Sequence, residues 1–133
     1  MEEINVHVEA EINPTESQAK VEKAVKNLFG DISLRKETMH QGEMLIGEAK
    51  GAESLVTLQN LLRRERIRNA ARTVLLNGMS GRKIVFCLNK QVAYAGHLSF
   101  SKEESESPLG PIKVRVECTN PRQLINWLAP KMT

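Results

Sequence analysis

Residues 4–12 alternate strictly, with Ile4, Val6, Val8, Ala10 and Ile12 on one side and Asn5, His7, Glu9 and Glu11 on the other. A period of two with β-branched residues predicts a strand buried on one face. Asn13-Pro14-Thr15 interrupts the run, and Thr15 with Gln18 three residues on forms a capping-box pattern. Val21, Ala24, Val25 and Leu28 then recur at helical spacing, and Gly30 supplies a left-handed stop. Ile32 and Leu34 predict a second strand and Met44–Ala49 a third, with a turn over Met39–Gly42 between them.

Residues 52–77 read as helical throughout, yet the apolar face moves. At 100° steps Leu55, Leu58, Leu61 and Leu62 point one way, while Ile67, Ala70, Ala71 and Val74 point nearly opposite. One straight helix cannot bury both sets against one sheet, so the pattern predicts two helices, or one sharply bent, with the break near Arg63–Arg66. No glycine or proline marks that break.

Lys83–Leu88 has apolar residues on both sides, the mark of a central strand. Two readings of the next segment stand side by side. Either Asn89-Lys90 is a tight turn and Gln91–Phe100 returns as a strand bulged at Gly96, or Asn89 caps a single helical turn over Asn89–Ala95. The Ser/Glu-rich stretch leading to Pro108-Leu109-Gly110-Pro111 reads as a mobile loop over 101–111. Ile112, Val114, Val116 and Cys118 alternate with Lys113, Arg115 and Glu117 as another one-sided strand. Asn120-Pro121 is an N-cap with proline at the first helical position, ahead of a stripe of Leu124, Ile125 and Leu128 that Pro130 ends.

The predicted order is β-α-β-β-α-α-β-β-β-α. The expected fold is a single α+β domain over residues 1–133, two-layered, with a mostly antiparallel sheet and helices packed on one face. A length of 133 residues suits one domain, and 41% hydrophobic with 26% charged residues is a globular composition. Two cysteines, Cys87 and Cys118, and an acidic start without an apolar signal region lead to the expectation of a cytoplasmic protein. No apolar run approaches the ~18 residues of a membrane span, so no membrane partner is expected.

Charge sharpens the picture. The net charge is +3, but residues 51–100 alone hold eight basic and two acidic groups. The arginine run Arg63, Arg64, Arg66, Arg68 and Arg72 is the strongest feature. On one helix Arg64, Arg68 and Arg72 would form a stripe at i, i+4 and i+8. Guanidinium forks suit phosphate because they donate two hydrogen bonds at once. Arg82, Lys83 and Lys90 extend the basic candidate set. The plainer reading is a solvated helix face with pairs such as Glu65–Arg68.

The outward sheet face is the second candidate surface, where Asn5, His7, Lys113 and Arg115 meet if the first and last long strands pair. Lys113 and Arg115 would then sit opposite Glu9 and Glu11 as ion pairs. Aromatic residues are few, and several look like core, which disfavours a base-stacking sheet. His7, His40 and His97 lack metal-ligand spacing, and neither a Walker loop, a dinucleotide fingerprint nor a nucleophile elbow is present. No catalytic constellation, metal or cofactor is therefore expected.

Leu61-Leu62-Arg63-Arg64-Glu65-Arg66-Ile67, Ala71-Arg72, Leu88-Asn89-Lys90-Gln91, Ala93-Tyr94, Ser107-Pro108-Leu109-Gly110-Pro111-Ile112 and Trp127-Leu128-Ala129-Pro130 resemble an uncharacterised family of small archaeal proteins described as predicted RNA-binding. The resemblance implies a cytoplasmic protein with a fold like the large-subunit ribosomal protein L-five. Its polar members add Asn89, Lys90 and Gln91 to the arginines as RNA-binding candidates; structurally, Asn89 would instead cap a turn. The expected function is a non-enzymatic module binding RNA, ribosomal or tRNA. The alternatives are a protein-interaction or homodimerisation module using an edge strand or the Leu-rich 55–62 helix, and an enzyme centred on Lys90, Gln91 and His97.

Overall fold

The computed structural model describes residues 3–40, 42–101 and 110–131. Its strands are β1 (Ile4–Ile12), β2 (Ser33–Met39), β3 (Gly42–Lys50), β4 (Met79–Ser80), β5 (Lys83–Asn89), β6 (Phe100–Ser101) and β7 (Pro111–Cys118). Its helices are α1 (Gln18–Phe29), α2 (Val56–Arg64), α3 (Arg68–Asn77), α4 (Lys90–Tyr94) and α5 (Pro121–Leu128), with a 3-10 turn at Ala52–Leu55 ahead of α2. The sheet runs β2-β3-β1-β7-β5-β4, with β6 also on β5. Each pairing is antiparallel. The expected α+β class, with two layers and an antiparallel sheet, is what the chain adopts.

The alternation seen in the sequence sets the layers. Val6, Val8 and Ala10 stand beside Val116, Val114 and Ile112 of β7, which stand beside Ile84, Phe86 and Leu88 of β5. All nine are buried, and they form one core with Leu28 of α1, Leu62 of α2, Leu75 of α3 and Leu124 of α5. Gly78 lets the chain leave α3 tightly, because a Cβ there would lie 2.0 Å from the Val85 carbonyl oxygen.

Five sequence expectations change. Thr15 does not cap α1; Ser17 holds the N-cap position without a side-chain bond. The predicted strand over 91–100 shrinks to Phe100–Ser101, because Asn89 accepts a hydrogen bond from the Val92 N–H at 2.9 Å and starts α4. The helical alternative for this segment therefore holds. Lys113 does face Glu9, but Arg115 faces His7 rather than Glu11 and bonds Glu117 of its own strand at 3.3 Å. Ala70 is exposed, and α3 buries Ala71 and Leu75 instead. The loop expected over 101–111 is shorter, since Ser101 and Pro111 are strand residues; positions 102–109 lie outside the described residues.

Lys90 is the buried polar anchor of the fold, 3% exposed. Its ammonium donates to the Glu11 carbonyl at 2.7 Å and to Glu16 Oε1 at 3.0 Å, tying the turn after β1 to the start of α4. Burial alone pushes the Glu16 carboxyl up. Hydrogen bonds from the Asn13 N–H, the Lys90 ammonium and the Asn13 side chain outweigh it and hold the group below its ordinary 4.5. A carboxyl depressed in this way stabilises the fold fully above its ordinary value, and that stability is lost as pH falls through the lower folded-state value. Glu16→Gln should cost about 2–3 kcal/mol near neutral pH, toward the low end for a broken buried pair because Lys90 keeps the Glu11 carbonyl. The deficit should shrink in acid as parent Glu16 protonates. Urea denaturation from neutral to acid pH checks this; a deficit that does not change with pH would contradict it.

Candidate nucleic-acid interface at the α2–α3 elbow

Two helices replace one because both apolar faces must reach the same sheet. Leu58, Leu61 and Leu62 of α2 are buried, and so are Ala71 and Leu75 of α3. The turn between them has the hydrogen bonds of a Schellman motif. The Ile67 N–H donates to the Leu62 carbonyl and the Arg66 N–H to the Arg63 carbonyl, both at 3.2 Å. Arg66 occupies the left-handed position at φ 58°, the one non-glycine residue with positive φ among those described. That conformation costs about 1–2 kcal/mol for a residue with a Cβ, which is why glycine is usual there. A strained arginine at an exposed bend is the kind of outlier that points toward function.

The elbow concentrates positive charge. Arg63, Arg66, Ile67, Arg68, Asn69 and Ala70 line an open recess of about 640 Å³. Arg63 and Arg66 are exposed and Arg68 half-buried. Among the described residues no guanidinium of the three has a hydrogen-bond or ion-pair partner. Arg68, Asn69 and Ala70 form the first turn of α3, whose N-cap Ile67 gives no side-chain bond and whose first turn has no acid. The backbone N–H groups of that turn therefore add the positive end of the helix dipole to the same recess. The carbonyls ending α2 are meanwhile satisfied by the Schellman bonds.

Glu65, the single acid between Val56 and Asn77, is engaged elsewhere. Its Oε1 lies 2.9 Å from His97 Nδ1 and accepts from the Leu98 N–H at 3.3 Å. Desolvation pushes this carboxyl up, but the bonds from His97 and Leu98 and the charges of His97 and Arg64 hold it below its ordinary range. The expected Glu65–Arg68 pair is thus replaced by Glu65–His97.

The expected stripe of Arg64, Arg68 and Arg72 does not form, because the elbow separates Arg64 from the other two. Arg64 donates to the Gly96 carbonyl just past α4, and Arg72 donates to the Ala129 carbonyl at 3.2 Å, at the end of α5. Arg82 bonds Thr119 at 3.0 Å, and it lies with Lys83 beyond the far end of α3. The ten residues of α3 rise about 15 Å, so these two do not join the elbow. Asn89 is a helix cap and Lys90 a buried anchor, while Gln91 is exposed. The outward sheet face pairs its charges, as in Arg35–Glu48 at 3.1 Å and His7–Glu9 at 2.9 Å.

A family model described as RNA binding matches residues 5–118. The UPF0201 protein of Sulfolobus acidocaldarius is 44% identical over 126 residues, spanning 95% of this chain and 87% of its own. That of Aeropyrum pernix is 43% identical over 128 residues, spanning 96% and 85%. This chain belongs to the UPF0201 family. The crystal structure of a UPF0201 protein from Methanococcus jannaschii superposes with a TM-score of 0.85 at 31% identity, covering 97% of this chain and 95% of that one. This chain therefore shares its fold with that archaeal member of the family.

In this UPF0201 chain, sequence reasoning did not foresee the exposure of Tyr94, which is 38% exposed, with Lys20 and Lys23 beside its ring. The Leu-rich face offered as a contact surface is core, with Leu55, Leu58, Leu61 and Leu62 all buried. Among the described residues no helix is long and apolar enough to cross a membrane. If the elbow owes its shape to backbone bonds rather than to the arginine side chain, Arg66→Gly should keep the fold and raise stability by about 0.5 kcal/mol, the relieved strain less glycine's entropy. Arg66→Val should lower it by about 1–2 kcal/mol. Paired urea titrations decide; a loss with glycine would show the side chain itself holds the bend.

Proposed function

We propose that this protein is a non-enzymatic RNA-binding module that grips phosphate groups at the α2–α3 elbow. One observation carries the reading: the guanidinium groups of Arg63, Arg66 and Arg68, without partners among the described residues, share an open recess with the first turn of α3, whose N-cap Ile67 gives no side-chain bond. Guanidinium forks and helix N-terminal amides are both strong phosphate ligands. The family's description as RNA binding supports the same partner. Recognition at the elbow is of backbone charge and shape, since arginine contacts to phosphate carry no base sequence. A cytoplasmic location, a ribosomal or tRNA target and a kinship of fold with ribosomal protein L-five belong to this proposal as well.

Filter binding of a mixed-sequence RNA in rising salt tests it. Three phosphate contacts should give roughly 2–3 units of log–log slope. Changing Arg63, Arg66 and Arg68 together to Gln should lower the slope by about that amount and weaken binding at low salt, while Arg82→Gln should change neither. Absence of binding by the parent protein at low salt, or an unchanged slope in the triple variant, defeats the reading.

A further inference from the structure

The second feature outside the elbow is an exposed aromatic ring between two lysines. Tyr94 ends α4, and its hydroxyl makes no hydrogen bond among the described residues. The Lys23 ammonium lies 5.1 Å and the Lys20 ammonium 5.8 Å from the ring centroid. These lysines are three apart on α1 and so share one helix face. The backbone that carries the ring is anchored to α1: Asn27 donates to the Ala93 carbonyl at 2.9 Å and to the Tyr94 carbonyl at 3.2 Å.

This platform adjoins the elbow. Gly96, two residues past Tyr94, accepts from Arg64, and His97 meets Glu65. The end of α2, just ahead of the elbow, is thus tied to the segment that follows Tyr94. Tyrosine is the side chain on which an unpaired base stacks, and lysines beside it suit the flanking phosphates. A stacked base is held more tightly than a solvent-exposed ammonium over the same ring.

We propose that Tyr94 stacks an unpaired base of single-stranded RNA, with Lys20 and Lys23 on the adjoining phosphates. The inference rests on the elbow reading and extends it: the elbow supplies charge, and Tyr94 makes the module prefer single strands over duplex, whose bases are paired and stacked.

The probes are a ten-nucleotide oligouridylate, an abasic ribose-phosphate oligomer of equal length and a matched RNA duplex. The parent protein should bind the oligouridylate about tenfold more tightly than the abasic strand, the worth of one stacked base. Tyr94→Ala should erase that preference with little change in salt slope, and Tyr94→Trp should keep it. The variant lacking the three elbow arginines should show the reverse: a reduced slope with the preference retained. Equal affinity for abasic and base-bearing strands, tighter binding to duplex, or a preference unaltered by Tyr94→Ala overturns the stacking proposal and leaves the elbow standing. No binding of any probe by the parent overturns both. Unchanged melting of Tyr94→Trp confirms that the comparison is made on folded protein.

Discussion

The structure turns on the need to lay a helical segment with two opposed apolar faces onto one sheet. Leu58, Leu61 and Leu62 face the core before the bend and Ala71 and Leu75 after it. Burying both sets is worth several kcal/mol, against about 1–2 kcal/mol for placing Arg66 in a left-handed conformation. The balance favours the bend. Its by-products are the features of interest: an α3 N-terminus open to solvent, a Schellman turn that satisfies the α2 carbonyls, and arginines projected around a recess instead of along a rod.

Charge segregates between the two layers. The outer sheet face alternates acid and base, and its ion pairs are solvent-exposed ones of small individual worth. On the helical side Glu65, the one acid of α2 and α3 and the turn between them, is tied to His97. Glu16, near the start of α1, is tied to Lys90. Neither carboxylate is bonded to an arginine of the elbow. A modest net charge of +3 conceals a polarised molecule, and local potential rather than net charge steers a polyanion.

The Leu88-Asn89-Lys90-Gln91 motif shows how a specific stretch can be structural rather than functional. Asn89 caps α4, and Lys90 spends its charge on Glu16 and the Glu11 carbonyl. Only Gln91 remains exposed, next to Tyr94 in the recess at the start of α1. Two residues that looked like ligands for RNA are thus the clasp between the β1–α1 turn and α4.

Period-two runs made β1 and β7 legible in the sequence, because a strand buried on one face must alternate. The reversal of apolar direction after Leu62 located the elbow even without glycine or proline. Local pattern could not say where each arginine would go, since Arg64 and Arg72 are drawn off by carbonyls far along the chain, at Gly96 and Ala129. Nor could it tell that Tyr94 would be exposed, for an aromatic in a short apolar stretch reads equally as core. By itself the sequence determined the one-sided strands β1 and β7, their buried faces and the place of the bend, all matters of neighbouring residues. Which cations stayed unpaired, and which aromatic met water, was decided by contacts between residues distant in the chain, and only the folded sheet and its helices bring those together.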